Sequence, residues 1–290
     1  MFPSTVPRSN LSKEMRQARS RRPANRALCF GNLAKALLIR LHLPREARVL
    51  EFGCGPATNI LKLEASRPSY VAFVDNDPNV IASAQERLLV RARQNPETRL
   101  RNYTVHCLDF LKENILTTLT PNFYNMDCIM AFYSLHYIAT SPEKARNFFL
   151  SCYALLRSSH GTILAILPNA ERICAVNRNG LQNRLFTVQG IPSSSLPVSG
   201  LPYTFQVMDE RSYFEYLLFN RDLMTAMEGL FLQTLNLPVL SFLEQASVTD
   251  NKLYVSLLSC IVGYTPTTLN QQEIELINLY DVVILNKIIK

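Results

Sequence analysis

The sequence predicts an α/β fold: a mostly parallel sheet with helices on both faces. Short apolar segments alternate with longer segments of helical spacing between Arg48 and Leu167. This alternation is typical of parallel strands joined by crossover helices. The first apolar segment breaks at Gly53-Cys54-Gly55, and Asp75 follows the second. Glycines after one strand and an acid after the next are typical of a site for a nucleoside-type cofactor at the carboxyl edge of a sheet.

The elements before this edge and beside it follow from apolar spacing. Leucines and Phe30 recur at helical spacing and predict a first helix at about 25–41. The first strand is predicted at 48–52, a helix at 57–63 and the second strand at 71–74. Pro78 predicts the start of a helix that reaches about residue 91, since proline is favoured at the first helical position.

The second half of the predicted sheet follows the same rules. Strands are predicted at 103–107, 127–132 and 161–167, with a helix at 142–157. A segment rich in Gly, Pro and Ser then predicts an insertion at about 176–210. A helix at 213–230, a strand at 232–242, a helix at 251–262 and a last strand at 279–288 complete a seven-stranded sheet. We therefore predict a flexible basic segment at 1–22 and one domain at 23–290.

The positive charge is concentrated at the N-terminus. Residues 1–50 contain eleven Lys/Arg and two acids, so the other 240 residues carry 19 basic and 21 acidic side chains. Five arginines lie between Arg16 and Arg26 without an acid among them. Such a cluster favours binding of RNA or another polyphosphate, and a solubilising or nuclear-import tail explains it about as well.

Several classes of protein are excluded by composition. No apolar run reaches the roughly 18–20 residues that cross a bilayer, and no secretory signal precedes the domain. The seven cysteines are scattered and form no C-x-x-C pair, which is typical of a reducing compartment. The four histidines lack metal-ligand spacing. We therefore predict an intracellular protein without a membrane segment and without a metal.

Several motifs in order along the chain resemble one family. They are V-L-E-F-G-C-G-P-A-T-N at 49–59, F-Y-S-L-H-Y at 132–137, I-L-P-N at 166–169, Tyr203 and Phe205 followed by Glu215-Tyr216-Leu217, an early element of Phe30, Asn32 and Lys35, and a weaker match at 181–183 and 186–188. In this order they resemble the mRNA cap guanine-N7 methyltransferases. These are S-adenosylmethionine-dependent enzymes with the Rossmann-like class I methyltransferase fold, so the resemblance implies that fold and that cofactor.

The resemblance also implies two sets of binding residues. Those for S-adenosylmethionine are Lys35, Gly53, Gly55, Asp75, Asp109, Phe132 and Tyr137. Those for the cap are Asn32, Lys62, Arg87, Tyr133, His136 and Glu215. No acid or base catalyst is expected, because guanine N7 already carries a free lone pair, and Glu215, Tyr133 and His136 are expected to position the base.

The residue types suit these roles. A carboxylate at Asp75 can accept both ribose hydroxyls, and Asp109 suits the adenine amino group. Glu215 suits the two N–H donors of the guanine Watson–Crick edge, and Tyr133 offers a ring for stacking. Taken singly, a loop histidine, a tyrosine in a core or a lysine on a helix surface would explain most of these residues equally well.

The sequence departs from the family pattern at several positions. Pro56–Asn59 replaces a glycine-rich K-G-G-D, Glu51 replaces an aspartate, and Phe132 replaces a glutamine that often contacts the cofactor. Gly31 replaces an asparagine, and Ala246 stands where the family has an aromatic residue. These departures bear on cap and cofactor binding more than on the fold.

The function expected from the resemblance is methyl transfer to guanine N7 of GpppRNA. Two alternatives stay open: a class I methyltransferase with another acceptor, and a non-catalytic or stimulatory methyltransferase-like subunit. Capped RNA is the expected partner, with other domains or subunits of a capping enzyme as a further class. The expected location is the nucleus for a cellular protein, and the cytoplasm, in a virus factory or virion, for a viral one.

Overall fold

The computed structural model describes residues 23–94, 102–111, 118, 123–178, 183–192, 197–208, 212–262 and 269–289. The strands are β1 (Arg48–Phe52), β2 (Tyr70–Asp75), β3 (Tyr103–Cys107), β4 (Cys128–Phe132), β5 (Thr162–Pro168), β6 (Phe186–Gln189), β7 (Pro202–Val207), β8 (Tyr213–Tyr216), β9 (Phe231–Pro238) and β10 (Tyr280–Lys287). The helices are α1 (Pro23–His42), α2 (Ile60–Ser66), α3 (Pro78–Gln94), α4 (Pro142–Leu155), α5 (Ala170–Arg178), α6 (Asn220–Met227), α7 (Val239–Thr249), α8 (Asn251–Ile261) and α9 (Gln271–Asn278), with a 3-10 helix at Leu135–Thr140.

Seven strands form the central sheet in the order β3-β2-β1-β4-β5-β10-β9. The first five are parallel, and β10 pairs antiparallel with both β5 and β9. The predicted α/β class and the mostly parallel seven-stranded sheet are thus confirmed. Because β10 runs antiparallel to β5, its first residue, Tyr280, lies opposite Pro168 at the carboxyl end of β5.

Alternate strand residues bury into two apolar cores, one on each face of the sheet. Val49, Phe73 and Met130 face the core that includes α1 and α7. Leu50 and Ile129 face the core that includes α4 and α6. A period of two follows from the pleat of a strand, and burial on both faces makes each parallel strand almost wholly apolar.

A second, three-stranded antiparallel sheet of β6, β7 and β8 follows β5 and α5. The helix predicted at 213–230 was wrong at its start, because Tyr213–Tyr216 is a strand and the helix begins only at Asn220. The run Y-F-E-Y is aromatic and favours a strand, and pairing with β7 satisfies its backbone. This correction decides which way Glu215 faces.

Two other boundaries differ from the predictions, and several elements were not predicted. The helix predicted from residue 57 begins at Ile60, because Gly53, Gly55 and Ala57 all have positive φ and form a turn. The strand predicted at 232–242 ends at Pro238, after which α7 begins. Helices α5, α7 and α9, strands β6 and β7 and the 3-10 helix were not predicted.

Most of the basic segment 16–26 lies outside the described residues, but Arg26 is described. Its guanidinium donates to both carboxylate oxygens of Glu273, at 2.6 and 2.5 Å. The Glu273 side chain is fully buried and belongs to the capping box at the start of α9. Arg26 therefore joins α1 to α9 and does not contribute a free charge to the basic segment.

Candidate functional site

The glycine turn after β1 approaches the end of β2 closely. Cys54 N–H donates to Val74 O at 3.1 Å, and Gly55 N–H donates to Asp75 Oδ2 at 2.9 Å. Gly53 and Gly55 have φ of +64° and +55°, a conformation that glycine adopts at no steric cost. A Cβ on Gly53 would also lie 2.4 Å from Ser134 Cβ. The turn therefore needs glycine at position 53 for both backbone and space.

Asp75 and the turn fit a nucleoside-type cofactor. The Asp75 carboxylate also accepts the Asp77 N–H, at 3.2 Å, so two backbone amides fix its orientation. A carboxylate offers about four lone-pair sites, which leaves acceptors for two ribose hydroxyls. Apart from its chain neighbours, no atom of the described residues lies within 4 Å of the Cβ position of Gly55, so these residues leave open space above the turn. Asp109 follows β3 at the same edge, where its side chain accepts the Leu111 N–H at 3.0 Å.

A buried polar cluster supports the turn from below. Asn59 Nδ2 donates to Glu51 Oε1 at 2.6 Å, and Lys62 Nζ donates to Asn59 Oδ1 at 3.1 Å. Burial raises the pKa of Glu51 to about 7, although the Asn59 hydrogen bond and the charges of Lys35 and Lys62 oppose it. Burial also lowers the pKa of Lys62 to about 8. Asn59, from the divergent Pro56–Asn59 segment, thus links Glu51 to Lys62.

A cavity of about 290 Å³ opens beside this edge. Three sequence-predicted residues line it, Tyr133, Tyr137 and Glu215. The rest of the lining consists of Gly31, three more aromatic residues and six aliphatic ones: Phe205, Tyr213, Tyr280, Ala27, Leu28, Val207, Val239, Leu276 and Ile277. The cavity is therefore mainly apolar, with five aromatic rings and one carboxylate, which suits a flat base that has N–H donors on one edge.

Glu215 reaches the cavity from β8 and is held there by Tyr203. The two residues face each other across β7 and β8, and Tyr203 Oη donates to Glu215 Oε2 at 2.6 Å. Burial raises the pKa of Glu215 to about 6, and the Tyr203 hydrogen bond lowers it in part. The carboxylate is therefore ionised at neutral pH and has one oxygen, Oε1, without that bond.

Tyr133 takes a strained backbone conformation at the end of β4. Its φ is +59°, which is rare for an aromatic residue and is often found at functional sites. Its N–H donates to Ile166 O at 2.6 Å. The ring packs edge-on against Tyr280 at 5.0 Å, with Lys35 Nζ 5.0 Å from its centroid.

Gly31, one of the departures from the family pattern, provides room for Tyr133. A Cβ at Gly31 would lie 2.5 Å from Tyr133 Oη and 3.7 Å from its Cζ. An asparagine here would therefore displace the phenol. The residue that fits at position 31 therefore depends on the side chain at position 133.

We expect Gly31→Ala to destabilise the protein by about 1–3 kcal/mol, because the new methyl overlaps the Tyr133 hydroxyl. In a Tyr133→Phe background the same change should stabilise by up to about 1 kcal/mol, because alanine is favoured over glycine inside a helix. Thermal or urea unfolding of the four proteins measures this coupling. An equal effect in both backgrounds would show that the hydroxyl is not the cause.

His136 lies behind the cavity wall and not in it. The side chain is 1% exposed, and its ring lies 4.4 Å from that of Tyr137. Burial lowers its pKa to about 3, so it is neutral at pH 7 and its 3.9 Å contact with Glu215 is not an ion pair. Neither ring nitrogen has a hydrogen-bond partner among the described residues. In this position the His136 ring packs against the Tyr137 ring and supports it from behind the cavity wall.

The remaining predicted residues lie at different distances from the cavity. Phe132 is buried at the end of β4. Asn32 accepts from Lys62 Nζ at 3.4 Å, next to the cavity but outside its lining. Arg87 lies on the exposed face of α3 and does not line the cavity.

Sequence reasoning missed Tyr213 and Tyr280 as cavity residues. Tyr213 lies two residues before Glu215 on β8, so the two side chains share one face of the sheet. In the helix that was predicted here, residues two apart would not share a face. Tyr280 begins β10, and an antiparallel last strand starts at the edge where the parallel strands end. Ala246, at the position where the family has an aromatic residue, is buried in α7. The two tyrosines supply aromatic rings to the cavity.

No helix among the described residues is long and apolar enough to cross a membrane. Within the same part of the chain, no group of three or more His, Cys, Asp or Glu is arranged to hold a metal ion.

A family model described as an mRNA (guanine-N(7))-methyltransferase domain matches residues 8–288. Among proteins with curated descriptions, none matches this sequence. Solved structures with a similar fold include a protein from Pyrococcus horikoshii OT3, with TM-score 0.53, 12% identity and coverage of 96% of this chain and 94% of that one. An S-adenosylmethionine-dependent methyltransferase from Clostridium acetobutylicum ATCC 824 gives TM-score 0.53 and 11% identity, covering 89% and 91%. The plantazolicin methyltransferase BamL, solved with a desmethylPZN analog and SAH, gives TM-score 0.53 and 13% identity, covering 96% and 92%.

Proposed function

Because this chain belongs to the mRNA (guanine-N(7))-methyltransferase domain family, we propose that it transfers a methyl group to N7 of the guanine cap of GpppRNA. It is a methyltransferase, and its cofactor is S-adenosylmethionine. The observation that carries the finer proposal is the cavity, in which Glu215 is the one carboxylate among the lining residues and lies with five aromatic rings. Capped RNA is the proposed partner.

The Glu215 carboxylate is suited to hold guanine by its N1 and N2 hydrogens. Tyr203 fixes the carboxylate through Oε2 at 2.6 Å, so less side-chain entropy is lost when a base binds. Hydrogen bonds to a charged acceptor contribute about 1.5–3 kcal/mol each. These contacts orient the base so that N7 points away from β8.

The aromatic wall stabilises the base in two ways. Tyr133, Tyr137, Tyr213 and Tyr280 offer ring surface on which a purine can stack. N7-methylation makes the guanine cationic, and tyrosine rings attract a cation. The electrostatic attraction between the Glu215 carboxylate and the base also strengthens as that charge develops.

The edge of the sheet positions the other reactant. S-adenosylmethionine, when bound, supplies the methyl group from a sulfonium. Asp75 is oriented by the Gly55 and Asp77 amides to accept ribose hydroxyls. Because no proton has to be removed from guanine N7, the protein's task is alignment of the two reactants, and we assign no general base.

The direct test is methyl transfer from labelled S-adenosylmethionine to GpppRNA, with nuclease mapping of the labelled base. Label in N7-methylguanosine of the cap is the expected result. Label elsewhere would identify a methyltransferase with another acceptor. Cofactor binding without transfer to any RNA would identify a non-catalytic subunit instead.

The basic N-terminal segment should add RNA affinity without adding base specificity. Deleting residues 1–22 removes four of the five arginines between 16 and 26 and keeps the Arg26 pair with Glu273. We expect weaker binding of capped RNA and a flatter salt dependence, because fewer counterions are released. Turnover of a cap dinucleotide should stay nearly unchanged. A collapse of dinucleotide turnover would instead make the segment part of the active site.

A further inference from the structure

Three arginines surround a second pocket at the amino edge of the sheet. The pocket has a volume of about 270 Å³ and is lined by Arg40, Leu43, Arg45, Ala65, Ser66 and Arg67. Arg40 lies near the end of α1, Arg45 precedes β1, and Arg67 caps the end of α2. We call it the arginine pocket. It lies at the opposite end of β1 from the glycine turn, so the site described above does not include it.

The charge of the arginine pocket is not neutralised by the described part of the chain. Arg40 donates to Ala65 O at 2.6 Å, a neutral acceptor, and none of the three guanidiniums pairs with a described carboxylate. Of the neighbouring acids, Glu64 is bound by Arg91 at 2.8 Å, and Glu46 is exposed beside Arg45. Each of the two helix ends adds only about half a negative charge. The balance stays positive and favours an anion.

The lining also has a spare hydrogen-bond donor. Ser66 Oγ is buried and has no hydrogen-bond partner among the described residues. The planar guanidinium groups of arginine match the oxygens of a phosphate. Three of them, with a serine hydroxyl, offer more donors than the two oxygens of one carboxylate accept, and therefore suit the phosphates of a polyanion.

Helix α1 connects the arginine pocket to the cavity that holds Glu215. Gly31 lines that cavity and Arg40 lines the arginine pocket, and nine residues of helix separate them by about 13 Å. Asn32 and Lys62 lie between them, joined at 3.4 Å. With at least about 3.4 Å per nucleotide, at most about four nucleotides are needed for an RNA whose cap occupies the cavity to reach the arginine pocket.

We propose that the arginine pocket binds backbone phosphates of the RNA a few nucleotides downstream of the cap, along the surface between α1 and α2. This inference rests on capped RNA being the substrate. It predicts that the contribution of the pocket appears only with RNAs long enough to span this distance. A cap dinucleotide should not be affected.

The test compares a double variant, Arg45→Gln with Arg67→Gln, with a matched control, Lys144→Gln with Arg221→Gln. Both remove two positive charges from exposed side chains, but only the first changes the arginine pocket. Binding of fluorescently labelled GpppRNA of about 20 nucleotides is measured by anisotropy over a range of salt concentrations. Methylation of the dinucleotide GpppG is measured in parallel, and unfolding temperatures establish that all variants fold.

We expect the arginine variant to bind the long RNA about tenfold more weakly than wild type, with a salt slope smaller by about 1.4, because each lost phosphate contact on a single strand lowers it by about 0.7. The control should stay within about twofold, because α4 and α6 pack on the opposite face of the sheet from α1. The kcat/KM for GpppG should be the same in all three proteins.

Two results would overturn the proposal. One is equal RNA affinity of the arginine variant and the control. The other is an equal loss of long-RNA and dinucleotide activity, which would make the arginines a general support of the fold. A different result would contradict the proposed function: the wild-type protein would not methylate GpppG, whatever the RNA affinities of the variants.

Discussion

Glu215→Gln should lower methyl transfer to GpppRNA by about 30- to 1000-fold, which corresponds to about 2–4 kcal/mol. Glutamine keeps the size of the side chain but replaces one acceptor with an NH₂ donor. The buried carboxylate is held by Tyr203 at 2.6 Å, so the new amide cannot turn freely to avoid the guanine hydrogens. The loss should appear in both turnover and cap affinity, measured by steady-state kinetics and by titration with a cap analogue.

The pH profile gives an independent measure of the same carboxylate. Burial raises the pKa of Glu215 to about 6, and only the ionised form accepts two hydrogen bonds from guanine. We therefore expect kcat/KM for the cap to fall below about pH 6 and to approach a plateau above it. In the Glu215→Gln protein this inflection should disappear.

S-adenosylmethionine affinity should be unchanged in Glu215→Gln, because β8 does not contribute to the glycine turn. Glu228→Gln, an exposed position after α6, is the matched control and should behave as wild type. Near wild-type methylation by Glu215→Gln would remove Glu215 from the site. It would also weaken the cap proposal, since Glu215 is the carboxylate that lines the cavity.

Asp75→Ala should abolish measurable S-adenosylmethionine binding. Loss of two hydrogen bonds to a charged acceptor costs about 4 kcal/mol, or about 1000-fold in affinity. The change also leaves the Gly55 and Asp77 amides without their acceptor, so the turn itself loses support. Isothermal titration measures the affinity, and circular dichroism establishes that the variant folds.

A second variant separates these two effects. Asp75→Asn keeps one oxygen acceptor for the Gly55 amide, so the turn is preserved while the charge is lost, and an intermediate affinity is expected. Glu86→Ala, an exposed acid on α3, is the control. If a folded Asp75→Ala protein bound S-adenosylmethionine as tightly as wild type, the assignment of Asp75 to the ribose would be wrong.

The sequence by itself determined the central sheet and its cofactor edge. Strands such as Val49–Phe52 are buried on both faces and are therefore almost wholly apolar. Such a run can be recognised in the sequence without knowing which strands pair with it. Gly53, Gly55 and Asp75 were predicted as site residues for a similar reason. The turn and the strand end impose local requirements on residue type, and local requirements are visible in a single sequence.

Only the tertiary structure decided the make-up of the cavity. Tyr213 and Tyr280 come from two sheets and lie 67 positions apart along the chain, so no local pattern joins them to Tyr133. The helix predicted from residue 213 was wrong at its start, because β8 pairs with β7. Such pairing between distant segments is not part of the propensity of a single residue. The same holds for Gly31, whose absent side chain is explained by the Tyr133 hydroxyl across the cavity. Long-range packing sets such residues, because the space that each side chain can fill depends on segments distant in sequence.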